Sequence, residues 1–211
     1  MTTLILLRHG ETLSNIAEIY QGQGNGQLSK NGIAQAKTTA RYLSTAKIDV
    51  IYSSDLDRSH QTANIVAAPH NLKVAKVPDL KERYYGEWEG LKFNIIARKY
   101  KELYKLWLKD PNLAMIPGAE RLQDLQTRGV DAIEKLVKKH KNRTILVVGH
   151  GGINRTILFH YIGVDLNHFW KIRQNNCCIN IIEYRKPYPR VVLVNSTAHL
   201  SKTLLKTNAL T

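Results

Sequence analysis

Two short apolar runs stand out from a chain whose other hydrophobic residues are spaced periodically. Thr3-Leu4-Ile5-Leu6-Leu7 and Thr144-Ile145-Leu146-Val147-Val148 lack polar alternation, the pattern of strands covered on both faces of a parallel sheet. Between them, apolar positions recur at helical spacing. Ile33, Ala36, Ala40 and Leu43 follow the turn-like segment Leu28-Ser29-Lys30-Asn31-Gly32. Leu122, Leu125, Val130, Ile133, Leu136 and Val137 precede the second run. Alternating strands and helices predict a three-layer α/β/α sandwich with a mainly parallel sheet. The late runs 178–184 and 190–195 are joined only by a segment around Lys186-Pro187-Tyr188-Pro189. That connection is too short for a crossover, so it predicts a hairpin and an antiparallel edge strand. Residues 94–118 read as a helical insertion whose Tyr/Trp stripe forms either a partial lid or ordinary core.

Composition narrows the class. The 211 residues are 43% hydrophobic and contain no linker or internal repeat, so one domain spanning residues 1–211 is expected. No stretch approaches the ~20 apolar residues of a membrane span. The first apolar run is too short for a secretory leader. The two cysteines, Cys177 and Cys178, are adjacent and are expected to fill a strand as thiols, which fits a reducing cytoplasm. No Cys/His cluster has metal-ligand spacing, and there is neither a Walker lysine loop nor a dinucleotide glycine motif. No metal and no cofactor are therefore expected. The net charge is +14, from 31 Lys and Arg against 17 Asp and Glu. These cations are dispersed over 99–109, 135–143 and the acid-free tail after Glu183, without a nucleic-acid-binding motif. A field that steers small anionic phosphorylated substrates is expected, rather than a nucleic-acid partner. A monomer or homodimer is expected.

The chemistry sits where the two runs stop. Leu7 leads into Arg8-His9-Gly10, and Val148 into Gly149-His150-Gly151-Gly152. Ligands of open parallel sheets bind at the carboxyl ends of strands. Gly10 is expected to let the backbone turn tightly beneath a ligand. Arginine forks onto phosphate oxygens, and a neutral imidazole is a nucleophile. Either histidine alone reads as a hydrogen-bonded structural residue. Two of them, each flanked by glycine at a buried strand end, point to one shared site for phosphoryl transfer through histidine.

With these residues the chain resembles the histidine phosphatase superfamily, also called phosphoglycerate mutase-like. Arg8-His9-Gly10-Glu11-Thr12 matches its amino-terminal signature, and four further blocks follow in order. They are the segment of residues 49–63 with Arg58, the segment 80–90 with Glu82, Pro117-Gly118-Ala119-Glu120, and Gly149-His150-Gly151-Gly152. The resemblance implies that His9 accepts the phosphoryl group, while Arg8, Arg58 and His150 surround it. Glu82 is implied as the proton donor to the leaving alcohol and the acceptor from water. Asn15, Gln21, Gly22 and Gly151 are implied to bind phosphate or steer substrate. Glu87 and Glu89 share the loop of Glu82, and Asp55 and Asp57 offer Arg58 an alternative as a surface ion pair.

A loose phosphoryl-transfer transition state asks for positioned positive charge, here two arginines and a protonated His150. His9 must instead be neutral, with one ring N–H held by a carbonyl or carboxylate. Burial beside Tyr84, Tyr85 and Trp88 is expected to adapt Glu82 to acid catalysis.

The chain departs from the family pattern at Asn25 and Gln27, in place of an acid and a proline, and at Arg121, in place of serine. Three glycines in 22–26 are expected to make that loop mobile. The resemblance favours a phosphatase acting on sugar phosphates or phosphoglycerates, since the chain is shorter than typical mutases. Gln61-Thr62-Ala63 and the 86–90 segment also look like the phosphatase branch. The alternatives are a 2,3-bisphosphoglycerate-dependent mutase and a non-catalytic protein binding a phospho-ligand or nucleic acid.

Overall fold

A computed structural model describes residues 1–205. The elements run β1 (Thr2–Arg8), α1 (Leu13–Ile16), α2 (Lys30–Leu43), β2 (Val50–Ser53), α3 (Asp57–Ala67), β3 (Val74–Lys76), α4 (Phe93–Lys99), α5 (Lys101–Lys109), α6 (Leu122–Lys139), β4 (Thr144–Gly149), α7 (Gly151–Ile162), β5 (Ile179–Tyr184) and β6 (Arg190–Ser196). The strands form one sheet in the order β3-β2-β4-β1-β5-β6. The two apolar runs, β1 and β4, lie side by side at its centre. Pairings from β3 through β1 are parallel, whereas β5 is antiparallel to β1 and to β6. The expected hairpin is present, and the reversed strand is β5, one place in from the edge.

The period-2 alternation of strand side chains explains the layers. Leu4, Leu6, Ile145 and Val147 pack in one cluster with Leu125 and Ile133 of α6 and Ile153 and Ile157 of α7. Ile5, Leu7, Leu146 and Val148 point the other way, onto Ala40 and Leu43 of α2 and Ala63 and Val66 of α3. Covered on both faces, neither strand has room for polar alternation. The result is the three-layer α/β/α arrangement.

Register then positions the chemistry. Arg8 lies opposite Gly149, so His9 and His150 leave adjacent parallel strands at the same level. The turn after His9 rests on the start of α2, where Ser29 Oγ accepts from Gly32 N at 2.9 Å. A Cβ on Gly10 would stand 2.6 Å from the Gly32 carbonyl oxygen. Glycine is thus required for close backbone approach to α2, not for a turn beneath a ligand.

One further expectation is corrected, and one open alternative is decided. Cys177 and Cys178 precede β5 rather than filling it, because Cys177 N donates to the carbonyls of Arg8 and His9 (both 3.2 Å). Cys177 has φ 53°. Both thiols are buried and free. The aromatic stripe of the insertion is core: Trp107 of α5 is fully buried among Tyr85, Trp88, Phe169 and Trp170. Its indole Nε1 donates to Tyr20 Oη at 2.9 Å.

Helix α6 begins at Leu122 with Arg121 as N-cap, in extended backbone and without a side-chain cap hydrogen bond. Glu120 is committed elsewhere, to a bidentate pair with Arg128 at 2.6 and 2.9 Å. Arg121→Ser places an oxygen acceptor over the orphan N–H groups of the first turn. It should stabilise the protein by about 1 kcal/mol, a rise in Tm of roughly 2–4 °C in thermal unfolding.

Candidate active site

His9 is 2% exposed and His150 fully buried, with ring centroids 5.2 Å apart. His9 Nδ1 lies 2.7 Å from the Gly10 carbonyl oxygen. A carbonyl can only accept, so the proton belongs on Nδ1 and the Nε2 lone pair is free. Burial and the charges of Arg58 and Arg8 hold His9 well below the usual imidazole range. The site therefore presents a neutral imidazole with a fixed tautomer. His150 Nε2 lies 2.6 Å from Ser54 Oγ. Burial, and then the Arg58 charge, hold it too well below the usual range. The expected imidazolium is therefore disfavoured here, because His150 is fully buried with the charges of Arg58 and Arg8 acting on it.

A narrow cavity of about 70 Å³ opens beside His9, lined by Arg8, Asn15, Gln21, Gly22, Arg58, Glu82 and Gly151 among others. Eight of the nine residues expected at the site, His9 included, meet there. His150, the ninth, is buried and does not line it. Arg58 is no surface ion pair: Asp55 is taken by Lys81 at 3.2 Å, and Arg58 is buried. Its Nη1 and Nη2 donate to the carbonyls of Gly24 (2.8 Å) and Gly22 (2.7 Å). Those bonds hold the glycine loop that composition marked as mobile. Gln23 N adds a bond to Glu89 Oε1 at 2.8 Å. Arg8 Nη1 donates to the Gln174 carbonyl. Burial lowers both arginines, Arg58 to about 10. Asn15 and Gln21 expend their oxygens on Thr12: Asn15 Oδ1 accepts from Thr12 N at 3.1 Å, and Gln21 Oε1 from Thr12 Oγ1 at 3.0 Å. Both residues line the cavity.

Glu82 is distinguished from its neighbours by position. Its carboxylate accepts from Gly152 N (2.9 Å) and Ile153 N (3.1 Å) at the start of α7, and from Arg83 N (2.8 Å). A Cβ on Gly152 would stand 2.5 Å from Glu82 Oε1, so glycine there admits the carboxylate. Glu87 accepts from Tyr100 Oη and Glu89 from Tyr85 N, at 2.8 and 3.0 Å. The expected aromatic surround is reduced to Tyr85, since Tyr84 is exposed and Trp88 belongs to the core. Helix N–H groups and guanidinium charge are the real neighbours. Arg128 of α6 fixes this segment, donating to the carbonyls of Asp79 (2.6 Å), Lys81 (2.8 Å) and Glu82 (3.0 Å).

Sequence reasoning missed Arg155, which lines the same cavity and is 4% exposed. A signal was present: Arg155 is the lone Arg or Lys in Gly151–Ile162, a helix otherwise rich in apolar residues. The cavity's aromatic wall of Tyr20, Phe93 and Trp170 was also missed. Among the described residues, Arg8, Arg58 and Arg155 form no ion pair. No group of three or more His, Cys, Asp or Glu among them is placed to hold a metal, and no helix is long and apolar enough to cross a membrane.

The comparisons agree with this geometry. The family model of the histidine phosphatase superfamily (branch 1) matches residues 4–197. Phosphoserine phosphatase 1 of Hydrogenobacter thermophilus is 34% identical over 202 residues, 96% of each chain. The Bacillus stearothermophilus YhfR structure superposes with a TM-score of 0.90 at 28% identity, covering 94% of this chain and 99% of that one. Phosphoserine phosphatase of Entamoeba histolytica in complex with 3-phosphoglyceric acid gives 0.86 at 30% identity, covering 95% and 100%. A match of that extent, on a site of two strand-end histidines and buried arginines, makes this chain a phosphoric monoester hydrolase belonging to the histidine phosphatase superfamily, branch 1.

Proposed function

We propose that the chain hydrolyses small phosphomonoesters of the sugar phosphate or phosphoglycerate type through a phosphohistidine formed on His9. Phosphoserine and 3-phosphoglycerate, named for its relatives, are the first substrates to test. The observation that carries this reading is a buried His9 with Nδ1 held and a proton disfavoured, beside two buried guanidinium groups that lack carboxylate partners among the described residues. Unpaired buried cations favour an incoming dianion, and they stabilise charge on its equatorial oxygens during transfer.

In the first step the His9 Nε2 lone pair forms a bond to phosphorus while the phosphorus–ester oxygen bond breaks. The leaving oxygen takes a proton from Glu82. In the second step Glu82 takes a proton from water as the water oxygen bonds to phosphorus. The phosphorus–nitrogen bond breaks, its electron pair returns to Nε2, and orthophosphate departs. The balance is ester plus water to alcohol plus phosphate, and the enzyme is regenerated. A bound dianion would offset the Arg58 charge that disfavours a proton on His150.

The test is ³¹P NMR of the protein with each phosphomonoester, alongside acid-quench and base-quench trapping of an acid-labile phosphoenzyme. Orthophosphate release is expected, with turnover falling roughly 10³-fold or more in His9→Ala and no trapped phosphoenzyme. Conversion of 3-phosphoglycerate to 2-phosphoglycerate only when 2,3-bisphosphoglycerate is added would overturn hydrolysis in favour of mutase activity.

The depressed histidines also set a pH dependence of stability. Below the ordinary value of 6.5 the unfolded chain protonates these two histidines while the fold keeps them neutral. Stability is therefore full above pH 6.5 and lost as pH falls, with a slope approaching about 1.4 kcal/mol per pH unit for each histidine. Urea unfolding at pH 7.5 and 5.5 should show the loss, and His9→Gln should flatten the slope. Equal stability at both pH values would mean that the histidines are not held neutral.

A further inference from the structure

Arg155 has no part in the steps above, yet its guanidinium is held within the cavity by a carbonyl and two aromatic rings. Its Nε donates to the Ile172 carbonyl at 2.7 Å. Its guanidinium lies over the rings of Phe169 and Trp170, 4.4 and 5.1 Å from their centroids. Among the described residues Nη1 and Nη2 make no hydrogen bond, and neither is sealed from the cavity as the Nε atoms of Arg8 and Arg58 are. Burial lowers its pKa to about 10, the mark of a charge without a counter-ion.

Its placement is informative. Arg155 lines the same cavity as Arg8, His9, Arg58 and Glu82, and lies against Trp170 of its aromatic lining. A molecule whose phosphate is held at His9 by Arg8 and Arg58 leaves its other end to Arg155. There it meets one guanidinium with two free donors in a planar fork, the geometry that takes a carboxylate in bidentate fashion. A second phosphate would set two negative charges against a single cation.

We propose that Arg155 is the specificity residue of this phosphatase, binding a carboxylate on the non-phosphorylated end of the substrate. The preferred substrates are then phosphomonoesters of small hydroxy acids. This rests on the reading that the phosphate occupies the Arg8, His9 and Arg58 end.

The experiment measures kcat/KM on two matched pairs that differ in the carboxylate: phosphoserine against O-phosphoethanolamine, and 3-phosphoglycerate against glycerol 3-phosphate. Wild type should prefer the carboxylate member of at least one pair. In Arg155→Gln that preference should fall by about 10- to 100-fold, the worth of a charged hydrogen-bonded contact, with the change mainly in KM. Arg155→Lys keeps the charge without the fork and should fall between; it also serves if the glutamine variant does not fold. A wild-type ratio near one in both pairs, or equal losses on both members in the variants, would overturn the proposal. Failure of the underlying reading is separately visible, as turnover of all four substrates that survives His9→Ala.

Discussion

The parallel pairing of β1 with β4 is the constraint on which the site depends. With Arg8 opposite Gly149, the next residue on each strand is a histidine, and the rings come within 5.2 Å. A slip of one residue would turn every side chain of β1 to the opposite face. Leu4 and Leu6 would then exchange clusters with Ile5 and Leu7. Burial on both sides thus fixes the register, and the register brings together two residues 141 positions apart. The same pairing leads the chain from His9 into the turn against Gly32, and from His150 into α7, which supplies the N–H groups for Glu82.

Charge in this cavity is managed by backbone dipoles rather than counter-ions. Arg58 rests on the carbonyls of Gly22 and Gly24, Arg8 on that of Gln174 and Arg155 on that of Ile172. Glu82 is satisfied from the opposite pole, by N–H groups at the start of α7. Among the described residues no guanidinium of the cavity is paired with a carboxylate, which leaves them disposed to bind an anion. The histidines answer to the same field: where positive charge is buried, an imidazole keeps its lone pair. The proposed nucleophile and the buried positive charge are in this way one electrostatic arrangement.

Support for Glu82, the proposed acid, comes from farther away. Arg128 grips three consecutive-turn carbonyls around Glu82 and is itself held by Glu120. The Pro-Gly-Ala-Glu segment thus braces the loop carrying Glu82, and α6 starts after it. The glycine loop closes the other side through Arg58 and Gln23, whose Nε2 donates to the Glu82 carbonyl at 3.1 Å. Two segments without regular structure are made definite by side chains from helices behind them.

The sequence by itself determined the sheet, its flanking helices, the hairpin and the two histidines. Each of these is a local pattern: a run apolar on both faces, a 3.6-residue period, a glycine beside a catalytic residue type at a strand end. The ordered motif blocks added Arg58 and Glu82, although nothing local separated Glu82 from Glu87 and Glu89. Tertiary structure alone distinguishes them, since among the three only Glu82 reaches the start of α7, across 70 residues. It decided that His150 is neutral, that the glycine loop is held, and that the cysteines serve the turn after His9. It also placed Arg155 in the cavity, where the apolar helix around it had offered only a hint. In each case the deciding quantity is burial or a partner distant in sequence. Those are set by how the layers pack, and no window of neighbouring residues contains them.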